Sequence, residues 1–243
     1  MDFRTIQAVE LAGGVGILTL NRPERRNALS VEMRREIMTC LGKWRESPTV
    51  GVMIITGAGE AFTAGFDLTE FSRPELYSEI FETSSAYHRE LWNFPKPTIA
   101  AVNGPALAGG FDLAKLCDIR ICSPKAVFGH PEIKFGIPPL MTPLRWIIGE
   151  GPARHLCLTG KRVDAMEAFR IGLVSEVVDA EKLLERAVKI ATEILETPLE
   201  ALKRTKQLMI GASGLGFEES FCMEHDRIFQ EYLLKKASES AKK

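Results

Sequence analysis

Histidine is scarce in this chain and cysteine follows no pairing pattern: of 243 residues, four are His and five are Cys. No two of Cys40, Cys117, Cys122, Cys157 and Cys222 stand in a CxxC spacing, and the four scattered histidines complete no zinc pattern. An odd, dispersed set of cysteines argues for a reduced, cytoplasmic compartment and against a disulfide framework. The opening "MDFRTIQAVE" has no apolar leader core, and no run reaches the ~18 apolar residues that a membrane span needs. The closing "SAKK" is not a peroxisomal address of the SKL type. Excess charge is missing too. The formal net charge is -1, so general nucleic-acid binding, which needs a basic excess, is not expected. No repeat or low-complexity segment is present.

What is there is ordinary globular material, 45% hydrophobic and 26% charged, in a length that suits one domain with an appendage. "VGILTLNRP" reads as a strand closed by a turn. "ALSVEMRREIMTCLGKWRE" reads as a helix with Ser30 as N-cap, because Met33, Ile37, Leu41 and Trp44 recur at helical spacing. "VGVMIITG" and "PTIAAVNG" are continuous apolar strands, as expected where both faces of a sheet are covered. Thr69 to Trp92 reads as helical in part, and "DIRICSP" and "AVFGHPE" as short strands. "TPLRWIIGEGPARHLCLTG" reads as helix, break, helix, and "DAMEAFRIGLVSEVV" as a helix and a short strand. "DAEKLLERAVKIATEILE" places Leu183, Ala187, Ile190 and Ile194 on one helical face. Strand and helix alternate to about residue 180 and helices alone follow. The expectation is an α/β core over 1–180 and a helical C-terminal extension over 181–243.

Three stretches carry chemistry. "VNGPALAGGFDLAKLCD" places Ala108, Gly109 and Gly110 between a buried strand and a helix start, with Asp112 in the first turn. The first N–H groups of a helix lack internal partners, and small residues let a ligand oxygen reach them. A tight turn with close packing would look the same. "AFTAGFDL" repeats the design, with Ala64 and Gly65 after a buried strand and Asp67 placed to cap a following helix. If both loops face one cleft, one N–H from each makes a two-donor oxyanion hole. "FGHPEIKFGIPPL" sets Glu132 in an apolar context suited to proton transfer, although a lone Glu is more often solvated.

These stretches, with "NRPERRNALS" and "EAFRIGLVSEVV", occur in an order and at distances that resemble the enoyl-CoA hydratase/isomerase (crotonase) superfamily over nearly the whole chain. The resemblance implies a spiral of ββα units with a helical C-terminal trimerisation region, and a homotrimer or homohexamer. It implies an acyl-CoA thioester substrate, with coenzyme A as part of that substrate and no separate cofactor or metal. The thioester oxygen would lie between the N–H groups of Phe66 and Gly109. Asp112 and Glu132 would take the two catalytic carboxylate positions. Arg26, Ala28, Ala64 and Leu68 would border the adenine end of CoA, with Gly65, Asp67 and Gly110 also at the bound substrate.

One departure stands out. Hydratases of that family usually have Glu where this chain has Asp112, and the shorter side chain retracts the carboxylate by roughly 1.5 Å. Reversible hydration of 2-enoyl-CoA is the leading expectation. Double-bond isomerisation by Glu132 alone and non-catalytic acyl-CoA binding are the alternatives. The loop "GIPPLMTPL" carries Pro138, Pro139 and Pro143, which predict a stiff, apolar wall. His130 is a candidate second base, Cys117 and Cys122 read as buried fillers, and Phe217, Phe221 and Phe229 as core or a subunit interface. A dinucleotide-binding turn at Gly57-x-Gly59 lacks its third glycine, since Phe62 stands there.

Overall fold

The computed structural model describes residues 2–229 and 233–234, with side chains described for 2–226 and 233–234. Six strands form the main sheet: β1 (Ile6–Leu11), β2 (Val15–Leu20), β3 (Val52–Gly57), β4 (Thr98–Val102), β6 (Ile119–Cys122) and β9 (Glu176–Val177), side by side in that order. The β1–β2 pair is an antiparallel hairpin and every later pair is parallel. A small second sheet joins β5 (Ala106–Leu107), β7 (Val127–Gly129) and β8 (Val163–Asp164). The helices of this part are α1 (Val31–Glu46), α2 (Tyr77–Trp92), α3 (Gly109–Leu116), α4 (Leu144–Ile148), α5 (Glu150–Thr159), α6 (Ala165–Arg170) and α7 (Leu183–Leu195).

The central strands are apolar throughout because both faces are covered. Met53, Ile55, Ala100 and Val102 join a core that holds Met33, Ile37, Leu41 and Trp44 of α1. Val52, Ile54, Ile99 and Ala101 join a second core with Leu183, Ala187, Ile190 and Ala191 of α7. Each large aliphatic side chain buried this way contributes about 1.5–3 kcal/mol. Ser30 caps α1 as its sequence predicts, its Oγ accepting the Met33 N–H at 3.2 Å.

Several expectations change here. The chain divides after Leu199, not at 180, because α7 packs on β3 and β4 and closes the second core. The second unit starts at Glu200 and holds α8 (Leu199–Ala212, all but its first residue), α9 (Phe217–Phe221) and a wider helical winding over Cys222–Phe229. Phe217 and Phe221 stack with centroids 5.6 Å apart and both are exposed, while the side chain of Phe229 lies outside the described residues. No helix begins at Asp67; two 3-10 turns, Glu70–Ser72 and Pro74–Leu76, precede α2. Gly57-x-Gly59 ends a strand but leads into a loop and not a helix, so it is no dinucleotide turn. Cys40, Cys117, Cys122 and Cys157 are buried, and burial pushes the Cys40 and Cys122 thiols up to about 12. No helix among the described residues is long and apolar enough to cross a membrane.

Candidate active site

Two loops leave the carboxyl ends of β3 and β4 and meet. Thr63 and Ala106 form a parallel bridge, with Thr63 N–H donating to the Pro105 carbonyl and Leu107 N–H to the Thr63 carbonyl, both at 3.2 Å. Gly110 allows the contact, since a Cβ there would fall 2.3 Å from the Thr63 carbonyl oxygen. Its place is therefore a packing position. Gly65 has φ +96° and lies against the second loop: a Cβ on it would meet Leu107 O at 2.8 Å and Gly109 N at 3.1 Å. Ala108 holds φ 50°, ψ -124°, a strained conformation for a residue with a side chain, and α3 starts at the next residue. The amides of Phe66 and Gly109 donate to no acceptor among the described residues. Two free N–H groups on abutting loops, one at a helix N-terminus, can share one developing oxyanion.

The carboxylates lie in one buried polar cluster. Asp112 (8% exposed) projects from the first turn of α3, and Glu132 from a short 3-10 helix, Pro131–Phe135, that follows β7. Lys115 and His130 stand between them, exposed by 1% and 0%. Lys115 Nζ is 2.7 Å from Asp112 Oδ1, an ion pair set off the axis of an ideal hydrogen bond, and 3.0 Å from His130 Nε2. It also donates to the Leu140 carbonyl, which pins the proline-rich loop. His130 Nδ1 lies 2.7 Å from Glu132 Oε1, and Glu132 Oε2 is buried with no partner among the described residues. His130, considered as a second base, is thus enclosed behind Glu132. Lys115 escaped sequence reasoning because a lysine within a helix ordinarily reads as solvated.

A second set of polar groups braces the Phe66 loop. Buried Arg34 of α1 donates to the Leu29 carbonyl at 2.6 Å and to Thr83 Oγ1 at 3.1 Å, and its guanidinium lies 4.7 Å from the Phe66 ring centroid. Glu70 accepts the Val31 N–H at the start of α1 and lies 4.0 Å from Arg34. His88 of α2 has its ring 6.2 Å from that of Phe66 and donates from Nδ1 to the Ser84 carbonyl at 2.7 Å. Its Nε2 therefore keeps a lone pair, buried and without a partner among the described residues. Burial holds the imidazole below its ordinary pKa, against the Ser84 hydrogen bond.

The remaining expected residues cluster at the rim of this loop. Ala64 N–H donates to the Arg26 carbonyl at 3.0 Å and Leu29 N–H to the Gly65 carbonyl at 2.8 Å, so the "RNAL" turn lies alongside. Arg26, Ala64 and Leu68 are exposed and Ala28 is half-buried. Arg26 and Asn27 both take positive φ, and the buried Asn27 amide holds the turn through the carbonyls of Ala58 and Ala61. Asp67 departs from expectation. Its carboxylate ion-pairs with Arg22 at 3.0 Å and accepts from Thr69 N–H and Oγ1–H, so the side chain braces the loop and caps no helix. Burial works to raise its pKa, but those partners together hold it below the usual carboxylate range. Among the described residues no group of three or more His, Cys, Asp or Glu is gathered to hold a metal ion.

Comparison with known proteins shows the family. Residues 10–241 match the family described as enoyl-CoA hydratase/isomerase. A putative enoyl-CoA hydratase of Thermus thermophilus is 38% identical over 217 residues, 86% of this chain and 85% of that one. A hydroxycinnamoyl-CoA hydratase-lyase of Pseudomonas fluorescens is 35% identical over 236 residues, 93% of this chain and 86% of that one. The crystal structure of an enoyl-CoA hydratase from Bacillus anthracis superposes with a TM-score of 0.88 at 32% identity, covering 92% of this chain and 89% of that one.

Proposed function

Because the chain belongs to the enoyl-CoA hydratase/isomerase family, we propose that it is an enoyl-CoA hydratase, adding water reversibly across the double bond of a 2-enoyl-CoA. The observation that carries this reading is the pair of unpartnered amides, Phe66 and Gly109, on abutting loops. They would hold the thioester oxygen as it becomes an enolate, each donor supplying roughly 3 kcal/mol. Asp112 would take a proton from water as the oxygen bonds to Cβ, and the π electrons would pass to the enolate. Glu132, protonated at Oε2, would give its proton to Cα on the same face. The enolate charge rests on the amides, so no metal or redox cofactor is called for. The adenine end of CoA would lie by Arg26, Ala28, Ala64 and Leu68, where the two loops expose side chains. The exposed Leu158, Met166 and Phe169 on α5 and α6 support a homo-oligomer.

A second reading has its own support. Asp112 is shortened and paired with Lys115, which favours Glu132 acting alone to move a proton from Cα to Cγ, an isomerisation. The test is turnover of crotonyl-CoA and of a 3-enoyl-CoA by wild type and Glu132→Gln. Hydration of crotonyl-CoA that falls by about 10²–10⁴ in the variant is the expected result. Turnover of the 3-enoyl substrate alone assigns the isomerase. Turnover unimpaired in the variant removes Glu132 from its role.

A further inference from the structure

We infer that Lys115 and His130 are a positioning couple that joins the two carboxylates into one unit, leaving each a single oxygen for the reaction. The inference rests on the hydratase reading and concerns how its acid and base are held.

The argument is hydrogen-bond accounting. Lys115 meets two hydrogen-bond acceptors, His130 Nε2 at 3.0 Å and the Leu140 carbonyl, and ion-pairs with Asp112 Oδ1 at 2.7 Å. As an ammonium it fills the Nε2 lone pair, which puts the imidazole proton on Nδ1. That N–H then donates to Glu132 Oε1 at 2.7 Å. The tautomer is thus fixed from the lysine side. Oε1 is occupied, and only Oε2, buried and unpartnered, remains to carry the transferable proton. On the other carboxylate Oδ1 is held by the Lys115 ion pair, off the axis of a hydrogen bond, and Oδ2 would meet the water. Lys115 and His130 themselves are fully enclosed, so neither touches substrate and both act through their partners. The further titratable groups whose charges bear on this cluster are Tyr87 and His88 of α2 and Cys157 of α5.

The test uses two variants and two readouts. Lys115→Met keeps volume and removes the charge. His130→Asn keeps an amide donor near the Nδ1 position and breaks the link to Lys115. For crotonyl-CoA, Lys115→Met is expected to lower kcat by 10- to 100-fold with KM within threefold, and to displace the limbs of the pH profile of kcat/KM. His130→Asn should lose less kcat and show the same displacement. Independently of turnover, ¹⁵N NMR of histidine-labelled wild type should show His130 as the neutral Nδ1–H tautomer, a preference lost in Lys115→Met. Wild-type His130 protonated at Nε2, or a Lys115→Met enzyme with unchanged kcat and pH profile, overturns the inference. Should Lys115→Met fail to fold, His130→Asn and the wild-type spectrum decide. If wild type hydrates no 2-enoyl-CoA, the hydratase reading fails, and the tautomer still decides whether the couple exists.

Discussion

Replacing Gly65 by alanine acts on the contact between the two amide-bearing loops. The new Cβ would lie 2.8 Å from Leu107 O and 3.1 Å from Gly109 N, both main-chain atoms that cannot rotate away. Restoring an ordinary 3.4 Å contact to Leu107 O requires about 0.6 Å of separation (3.4 minus 2.8). The φ of +96° adds strain of about 1–2 kcal/mol for any residue with a side chain. A displacement near 1 Å costs on the order of a hundredfold in rate, and losing one donor altogether costs about 10²–10³ in kcat. The expected result for Gly65→Ala is therefore a roughly hundredfold lower kcat for crotonyl-CoA, with KM changed by less than about threefold and a lower melting temperature. The hole stabilises the transition state more than the ground state, so the loss should fall on kcat. Steady-state kinetics with a thermal melt of the same sample make the measurement. A folded Gly65→Ala protein with kcat within fivefold of wild type would refute the convergence of Phe66 and Gly109 on one oxygen.

Two further outcomes follow from groups around the Phe66 loop. Arg34→Leu removes the hydrogen bonds to Leu29 and Thr83 and leaves Glu70 without its buried cation. It should cost about 2–4 kcal/mol in urea denaturation, and a cost below 1 kcal/mol would show that the guanidinium braces nothing. The folded pKa of His88 is lowered by burial, so the unfolded chain binds its proton first as pH falls. Stability contributed by its neutral form is full above the unfolded pKa of about 6.5 and declines below it, down to the folded pKa. His88→Gln should flatten the fall of stability as pH drops below about 6.5, and an unchanged slope would refute the assignment.

The sequence made some levels of this structure legible and hid others, for physical reasons. Long buried strands and amphipathic helices declare themselves by period, hence β2, β3, β4 and α1. Strand β1 escaped because only Ile6 of its six residues is buried, and β5 and β8 because two residues hold no period. The face of α7 was readable, but a helix does not state what it packs on, and the boundary at 180 fell nineteen residues before Leu199 as a result. Local chemistry pointed to the two glycine-bearing loops, and the family resemblance named Phe66 and Gly109 within them. Lys115 could not be read, because its partner His130 lies 15 residues away and the ion pair exists only once α3 meets the turn after β7. Asp67 was misread because Arg22, 45 positions earlier, claims its carboxylate.

The Phe66 and Gly109 loops are stitched by main-chain atoms, Thr63 to Pro105 and Leu107 to Thr63, and the turn before α1 is stitched to the Phe66 loop in the same way, Ala64 to Arg26 and Leu29 to Gly65. Those stitches are indifferent to most side chains. Mutation can therefore rebuild the surrounding walls for new acyl groups while the oxygen-holding apparatus stays where it is. A scaffold of that kind diversifies by changing what it admits before it changes how it reacts.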